Sequence, residues 1–285
     1  MRELALGVLL MAAACGDDGG QGVLDAGPDD DAATTPDAPG VLPGTAGCGM
    51  PAPSATATWE MRPLTVGGET REVYVWLPAG YDPERRYPIV YQMHGCSSGP
   101  NRHTNNPPTQ TQSGADAIHV RGKALGDCWN LSPTGPDVAY FDAMVADVEA
   151  SVCADPARRF VTGYSSGAFM THVLGCIRGD MIRGVASMAG GNAGSSCQGS
   201  VAALLIHDTT DATVNISSST SARDAHLARN GCGTTTTPTT PSPCVAYDGC
   251  AAGKPVVWCQ TTGQNHARQD ALSAPAFWTF LSGLE

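Results

Sequence analysis

Positive charge is scarce in this sequence of 285 residues, which contains 16 Lys and Arg against 27 Asp and Glu. The net charge of −11 argues against nucleic-acid binding, because no cluster of Lys and Arg is large enough to cover a phosphate track. No two cysteines have C-x-x-C spacing, so we expect no zinc site. We also expect no other metal and no cofactor. What remains is a composition typical of exported bacterial proteins, with 42% apolar and only 15% charged residues.

The acidic residues are concentrated near the N-terminus. From Cys48 onward the chain has 15 Lys and Arg and 19 Asp and Glu, so the net charge of that part is only −4. Residues 15–47 are rich in Gly, Pro, Asp, Ala and Thr and have few large apolar side chains. Because such a segment buries too little surface to offset its ordering entropy, we predict a disordered acidic tether over 15–47 and a folded domain over 48–285.

Residues 1–14 are predicted to be a signal peptide. Their apolar run, residues 4–14, is too short to cross a bilayer, which needs about 20 residues. The ending Ala12-Ala13-Ala14-Cys15 resembles the lipobox of bacterial lipoproteins, which implies lipidation of Cys15. The alternative is an ordinary secretory signal cleaved near Ala14. Either way we expect an extracytoplasmic protein, which is lipid-anchored to a bacterial membrane or secreted.

The count of 11 cysteines is odd, and lipidation of Cys15 would account for the extra one. The other ten are then sufficient for five disulfides, which implies an oxidising compartment. The pairing cannot be read from the sequence. The ten are Cys48, Cys96, Cys128, Cys153, Cys176, Cys197, Cys232, Cys244, Cys250 and Cys259.

Short apolar, β-rich runs alternate with segments of helical periodicity along the domain. Strands are predicted at 59–66, 71–77, 87–93, 117–120, 159–162, 185–189, 201–206 and 256–259. Helices are predicted at 138–152, 168–177, 217–230 and 271–284. We expect Asp155-Pro156 to interrupt the regular structure before the strand at 159–162, and 231–243 to form a loop. This order predicts an α/β fold with a mostly parallel central sheet and helices on both faces.

One pentapeptide, Gly163-Tyr164-Ser165-Ser166-Gly167, matches the G-x-S-x-G pattern of a nucleophile elbow. A predicted strand precedes it and a predicted helix follows it, as that device requires. The glycines leave room for the strand and the helix to approach closely in the turn. The pattern alone is weak in a chain with 34 Gly, but its context favours Ser165 as a nucleophile.

A second chemical signal follows the predicted buried strand at 87–93. His94-Gly95-Cys96 lies where a loop can supply a backbone N–H to the oxyanion of a tetrahedral intermediate. We assign that donor to Cys96 and the second donor to Ser166. A plain turn with a satisfied histidine is the alternative.

An acid and a base follow later in the chain. Asp208 and Asp211 compete for the role of the acid after the strand at 201–206, although turn or cap residues are the more frequent use of Asp. His266 lies in a Gly-rich polar turn after the last predicted strand, where the base is expected. Because a serine hydroxyl needs a base, and that base an orienting acid, the order Ser165, Asp211, His266 predicts a catalytic triad.

These motifs resemble the secreted polyhydroxybutyrate depolymerase and feruloyl esterase group of α/β-hydrolases. The similar segments are 71–83, 87–95, 161–170, 205–214, 230–232 and 263–266. The resemblance covers roughly 59–281 of the domain at 48–285, and it implies an α/β-hydrolase fold with Ser165 as nucleophile, Asp211 as acid and His266 as base. His207-Asp208 replaces the usual His-Gly of the group, Ala168 follows the elbow, and Ala267 stands near the usual site of a tryptophan. These departures concern substrate preference more than the triad.

We therefore predict a monomeric, extracellular serine ester hydrolase. Its substrates would be feruloyl- or acetyl-type polysaccharide esters, or hydroxyalkanoate esters, and such substrates can be polymers. It would contact a membrane through the lipid anchor alone. Trp129 and Trp258 are candidates for an aromatic-accepting pocket, although a core position is the more frequent use of tryptophan. The alternatives are a peptidase on the same scaffold and a non-catalytic lipoprotein that binds a polymer.

Overall fold

The structure, a computed structural model, describes residues 44–284. The predicted signal peptide at 1–14, the lipidation site Cys15 and the tether up to residue 43 lie outside the described residues. The last tether residues contact the domain, since Thr45 N donates to Ala154 O at 3.1 Å and Ala154 N donates to Thr45 Oγ1 at 2.9 Å. The packed chain therefore includes Thr45, three residues before the predicted boundary at Cys48.

One sheet of ten strands runs through residues 44–284, in the spatial order β1-β2-β4-β3-β5-β6-β7-β10-β9-β8. The strands are β1 Trp59–Val66, β2 Glu69–Trp76, β3 Tyr87–Met93, β4 Ile118–Gly122, β5 Ala154–Tyr164, β6 Gly184–Met188, β7 Ala202–Asp208, β8 Thr236–Pro238, β9 Cys244–Tyr247 and β10 Val256–Thr261. Strands β4, β3, β5, β6, β7 and β10 are parallel, whereas both edges of the sheet are antiparallel.

Helices cover both faces of the sheet. They are α1 Gln110–Ser113, α2 Pro136–Glu149, α3 Ser166–Ile177, α4 Ser217–Asn230 and α5 Asp270–Ser282. Strand β7 is apolar from Ala202 to Ile206, and the contacts on its two faces explain why. Ala203 and Leu205 pack in one core with residues of α2 and α3, whereas Leu204 and Ile206 pack in another with Phe277 of α5. A strand that is buried on both sides has no polar face. The predicted sheet, mostly parallel and covered by helices on both faces, is confirmed.

The parallel strands end together at one edge of the sheet. Their register pairs Met93 with Gly163, Tyr164 with Met188, and Asp208 with Thr261. The residues that directly follow β3, β5, β7 and β10 are therefore neighbours in space, although they are far apart in the chain. In open α/β sheets this carboxyl edge is where ligands bind.

Two local predictions are wrong. Asp155-Pro156 lies inside β5 and does not interrupt it. The pairing of β3 with β5 shifts register there and leaves room for a proline. The segment 231–243, predicted as a loop, contains β8, which pairs with β9 and extends the sheet beyond β10. Its Thr- and Pro-rich sequence suits an edge strand, where a missing N–H is tolerated.

All ten cysteines in the described part of the chain form disulfides, as predicted. The pairs are Cys48–Cys153, Cys96–Cys128, Cys176–Cys197, Cys232–Cys250 and Cys244–Cys259. Cys96–Cys128 ties the loop after β3 to the loop after β4, at the carboxyl edge. Between residues 44 and 284, no helix has the length and apolar character needed to cross a membrane.

Six of the seven histidines are buried, and burial lowers the pKa of each of them. The pKa falls to about 4 for His94 and His103 and to about 3 for His119 and His172. It is also lowered for His207 and lies well below the usual value for His226. These rings are therefore neutral parts of the core at neutral pH.

We predict that the free energy of unfolding decreases as the pH falls below about 6.5, the pKa of an unfolded histidine. The pKa of each of these histidines is lower in the folded protein, so the unfolded chain binds more protons than the folded chain does. Stability is therefore lost as the pH falls toward the pKa values of the folded protein. His172→Gln should lower the slope of stability against pH by up to about 1.4 kcal/mol per pH unit between about pH 5.5 and 4. Denaturant unfolding with the disulfides intact measures this slope. An unchanged slope would mean that folded His172 accepts a proton in that range.

Candidate active site

The turn between β5 and α3 has the backbone of a nucleophile elbow. Ser165 has φ 53° and ψ −120°, a region that residues with a side chain rarely adopt. Ser165 N donates to Met188 O at 2.9 Å, and Ser165 O accepts from Phe169 N at 3.1 Å. The end of β6 and the first turn of α3 therefore both hold the turn. This conformation directs the Ser165 hydroxyl into the cavity at the carboxyl edge, which Ser165 lines.

The two glycines of the motif are required by close packing. A Cβ on Gly163 would collide with the carbonyl of Gly167, and a Cβ on Gly167 would collide with the carbonyl of Met93. The glycines therefore allow α3 to start directly against the ends of β5 and β3. This is the close approach that the sequence predicted for these positions.

The structure brings Ser165, His266 and Asp211 together in one hydrogen-bonded chain. Ser165 Oγ lies 2.9 Å from His266 Nε2, and His266 Nδ1 lies 2.7 Å from Asp211 Oδ2. With Nδ1–H donating to Asp211, Nε2 is left as the acceptor for the serine proton. Residues separated by 101 and 55 positions in the sequence are thus in direct contact.

Asp211 is held in its charged form by its surroundings. Its Oδ1 accepts hydrogen bonds from Thr213 N and Val214 N, both at 2.9 Å. Burial alone would raise the pKa of the Asp211 carboxyl, but these bonds and the one from His266 lower it below its usual value. His207 lies 3.4 Å from Asp211 Oδ2, and its Nε2–H donates to Val214 O.

The competing candidate, Asp208, does not contact His266 Nδ1. Its carboxylate instead accepts hydrogen bonds from residues 210, 261, 264 and 265. The geometry therefore separates the two acids, since Asp211 alone of the pair faces the histidine. Sequence reasoning could not separate them because the two acids stand three positions apart in one loop.

The two proposed oxyanion donors, Cys96 and Ser166, line the same cavity as Ser165. Within residues 44–284, neither backbone N–H donates to a protein acceptor. His94 fixes the first of them: its Nε2 accepts from Ala124 N at 3.1 Å, and its Nδ1–H donates to Gly95 O at 2.7 Å. The Gly95–Cys96 peptide is therefore held by a neutral histidine.

The cavity beside Ser165 has a volume of about 520 Å³, within the usual range for small-molecule sites. Its walls are mostly apolar, and its polar groups are few. The lining consists of Cys96, Asn105, Cys128, Trp129, Leu131, Tyr164, Ser165, Ser166, Phe169, Thr213, Val214 and His266. Of the two tryptophans singled out in the sequence, Trp129 lines it, whereas Trp258 of β10 is buried in the core beneath Arg223 of α4.

The hydrogen bonds that Tyr164 and Trp129 make within the site were not predicted from the sequence. Tyr164 Oη donates to His266 O at 2.9 Å, which ties the histidine loop to the elbow. Trp129 N donates to Ser166 Oγ at 3.0 Å and Trp129 Nε1 donates to His94 O at 2.8 Å, so this residue braces both oxyanion loops. A tyrosine inside the G-x-S-x-G motif was a visible signal, whereas the role of Trp129 depends on tertiary contacts.

This arrangement is suited to acyl transfer. It combines a hydroxyl hydrogen-bonded to one nitrogen of the imidazole, a carboxylate on the other nitrogen, and two adjacent backbone N–H groups beside an apolar cavity. Between residues 44 and 284, no group of three or more His, Cys, Asp and Glu side chains is placed to hold a metal ion.

Comparison with known proteins gives the same class of chemistry. The chain is 29% identical to feruloyl esterase D of Neurospora crassa over 245 residues, which is 76% of this chain and 83% of that protein. It is 30% identical to feruloyl esterase C of Emericella nidulans over 171 residues, 57% of this chain and 63% of that protein. The chain thus spans less than two thirds of the second relative. No protein-family model matches it.

Solved structures agree on the fold. A ferulic acid esterase of Anaeromyces mucronatus, in complex with ferulic acid, superposes with a TM-score of 0.56 at 19% sequence identity. The match covers 85% of this chain and 98% of that one. The α/β-hydrolase fold predicted from the sequence is confirmed.

We predict that Asp211→Asn lowers kcat by about 10⁴-fold, the usual cost of a misoriented triad histidine. An amide at this position can hold the imidazole in the wrong tautomer, with Nε2 protonated against the serine. Asp208→Asn should cost far less. Steady-state ester hydrolysis measures both, with Asp224→Asn, at an exposed carboxylate paired with Arg223, as the matched control. A larger loss at Asp208 than at Asp211 would reassign the acid.

Proposed function

We propose that the chain, which is a carboxylic ester hydrolase of the α/β-hydrolase type, acts through Ser165, His266 and Asp211 on aromatic acyl esters of polysaccharides, such as feruloyl esters. The observation that supports this most directly is the 2.9 Å contact of Ser165 Oγ with His266 Nε2 at the mouth of the apolar cavity. A hydrogen-bonded serine and histidine that both line a cavity can meet a carbonyl that enters it.

In the first half of the reaction, Ser165 Oγ attacks the ester carbonyl while its proton moves to His266 Nε2. The carbonyl oxygen becomes an oxyanion and accepts hydrogen bonds from the N–H groups of Cys96 and Ser166. The tetrahedral intermediate collapses, the bond to the alcohol oxygen breaks, and His266 Nε2–H protonates that oxygen as it leaves. Asp211 stabilises the imidazolium throughout.

In the second half, water replaces the alcohol. His266 Nε2 takes a proton from the water as it attacks the acyl-enzyme carbonyl, and a second oxyanion forms against the same two N–H groups. Collapse of this intermediate breaks the bond to Ser165 Oγ, which regains its proton from His266. The carboxylic acid leaves, and the resting arrangement of Ser165, His266 and Asp211 is restored.

The lining of the cavity supports an aromatic acyl group. Trp129, Leu131, Phe169 and Val214 offer flat and aliphatic contacts, against which a planar ring buries well. Polar contacts for ring substituents are available from Asn105, whose side chain is half-buried in the lining. An acetyl or hydroxybutyryl group would contact only part of this wall, so we place such esters second. The names of the feruloyl esterase relatives support the same choice.

We further propose that the enzyme acts outside the cytoplasm, anchored by a lipid on Cys15 through the acidic segment 15–47. The five disulfides fit an oxidising compartment. They use ten of the 11 cysteines, which leaves Cys15 as the remaining one. One acyl modification at this cysteine would account for both the small residues before it and the odd count.

The first test compares hydrolysis of methyl ferulate, p-nitrophenyl acetate and a short hydroxybutyrate oligomer by the wild type and by Ser165→Ala. We predict the highest kcat/KM for methyl ferulate. In the variant, turnover should fall below about 10⁻³ of wild type because the acyl-enzyme cannot form.

Near-ultraviolet circular dichroism should show that the Ser165→Ala variant remains folded, and a fluorophosphonate should label the wild type but not the variant. Residual turnover above that level would identify a different nucleophile. Preference for the aliphatic esters would leave the hydrolase intact but reject the aromatic substrate class.

The anchor is tested by expressing the full chain in a bacterium with an alkyne-tagged fatty acid. We predict that the wild type incorporates the label and partitions into membranes, whereas Cys15→Ala does not. Label retained by the Cys15→Ala variant would reject this residue as the lipid attachment site, and an unlabelled wild type would favour the ordinary secretory signal.

A further inference from the structure

Asp208, at the end of β7, is a buried carboxylate with an unusual number of hydrogen-bond donors around it. Its side chain is fully buried, and it forms no ion pair with any residue between 44 and 284. Oδ1 accepts from Thr210 N at 2.9 Å, Thr210 Oγ1 at 2.5 Å and Asn265 N at 3.2 Å. Oδ2 accepts from Thr261 Oγ1 at 2.8 Å and Gln264 N at 3.0 Å. Uncharged donors thus balance a full buried charge.

The donors come from the two loops that carry the other members of the site. Gln264 and Asn265 immediately precede His266, and Thr210 immediately precedes Asp211. The carboxylate therefore joins the loop after β7 to the loop after β10 across 56 residues of sequence. The backbone of Asp208 adds to this, since Asp211 N donates to Asp208 O at 3.2 Å.

The turn before His266 is a segment that needs such support. Asn265 has a φ of 54°, a left-handed conformation that costs free energy for a residue with a side chain. Its N–H points to Asp208 Oδ1, with Thr210 Oγ1 as a second, longer acceptor at 3.4 Å. Thr210 Oγ1 also accepts from Gly263 N at 3.2 Å. Three consecutive N–H groups, those of residues 263–265, are therefore directed at Asp208 and its partner Thr210.

We propose that Asp208 is a positioning residue for the hydrolysis: its carboxylate fixes the 262–265 turn, and with it the orientation in which His266 reaches both Ser165 and Asp211. The inference rests on the proposed function in so far as His266 is the base. It assigns Asp208 no contact with the substrate or the reacting atoms.

The chemistry of the side chain explains why an acid is used. A carboxylate has two acceptor oxygens and no donor, which matches five donors converging from two sides. An asparagine has the same shape, but its NH2 group would face either Thr261 and Gln264 or Thr210 and Asn265, all of which donate. Burial alone would raise the pKa of the Asp208 carboxyl, but hydrogen bonds from Thr210, Thr261 and Gln264 lower it below its usual range.

Steady-state kinetics of Asp208→Asn are the first part of the test. We expect kcat to fall about 10- to 100-fold with KM changed less than about threefold, since a shift of about 1 Å in a catalytic group costs that much while substrate contacts remain. Asp224→Asn, the exposed control, should match wild type. A loss that merely follows the fraction of folded protein would leave Asp208 a structural residue and overturn the proposal.

The second part observes His266 directly, without substrate. The Nδ1–H proton that it donates to Asp211 should give a far-downfield resonance in 15N-histidine-labelled protein, assigned by its disappearance in His266→Gln. We expect this resonance to weaken or vanish in Asp208→Asn and to persist in Asp224→Asn. An unchanged resonance with unchanged kcat would overturn the proposal, whatever the substrate of the enzyme proves to be.

Thr210→Val keeps the test decisive if Asp208→Asn does not fold. Thr210 is exposed, and the substitution removes one donor to Asp208 and the acceptor for Gly263 N while preserving the shape of the side chain. We expect a three- to tenfold fall in kcat and a weaker resonance, and wild-type behaviour in both would overturn the proposal. Retention of turnover by Ser165→Ala would instead reject the proposed function, and the resonance would still test Asp208.

Discussion

The strained turn at Ser165 is the constraint on which the rest of the site depends. A backbone at φ 53° and ψ −120° is unfavourable for a residue with a side chain, and it persists because β5, α3 and the carbonyl of Met188 hold it from three sides. The sheet supplies that hold, since β5 is flanked by β3 and β6 in its centre. The elbow in turn sets the position of the Ser165 hydroxyl, and the proposed base, acid and oxyanion donors are arranged around that position.

Different contacts hold the backbone groups on the two sides of the Ser165 hydroxyl. On the oxyanion side, the Cys96–Cys128 disulfide and the neutral ring of His94 hold the peptide that presents Cys96 N–H. On the base side, Tyr164 holds the carbonyl of His266, and Asp208 holds the N–H groups just before it. These contacts orient the groups before any substrate arrives, so little reorganisation is left for the reaction itself.

The motifs that follow the strands could be predicted from the sequence, because they depend on residue type. Contacts between segments that are far apart in the chain could not. The elbow, the His-Gly loop and the late histidine follow strands whose apolar runs are visible, and parallel strands bring such ends together. The choice between Asp208 and Asp211, the pairing of the ten cysteines and the bracing by Trp129 all depend on contacts between segments tens of residues apart. The β8–β9 hairpin was missed because Thr- and Pro-rich sequence is as typical of a loop as of an edge strand.

A hydrogen bond between a serine and a histidine does not by itself indicate a nucleophile, and the surroundings of Ser165, the proposed nucleophile, differ from those of other such pairs. Between residues 44 and 284, three other serine–histidine pairs lie at comparable distances: His119 with Ser113 at 2.7 Å, His172 with Ser187 at 2.8 Å and His207 with Ser219 at 2.6 Å. All three serines are at most 1% exposed, against 8% for Ser165, and none of the three lines the 520 Å³ cavity. At Ser165 the serine–histidine contact is accompanied by three further features: a carboxylate 2.7 Å from the far ring nitrogen, two nearby N–H groups that donate to no acceptor within residues 44–284, and a place on the lining of the cavity. Access and electrostatic complementarity, rather than the pair alone, therefore distinguish Ser165 from its three counterparts in the core.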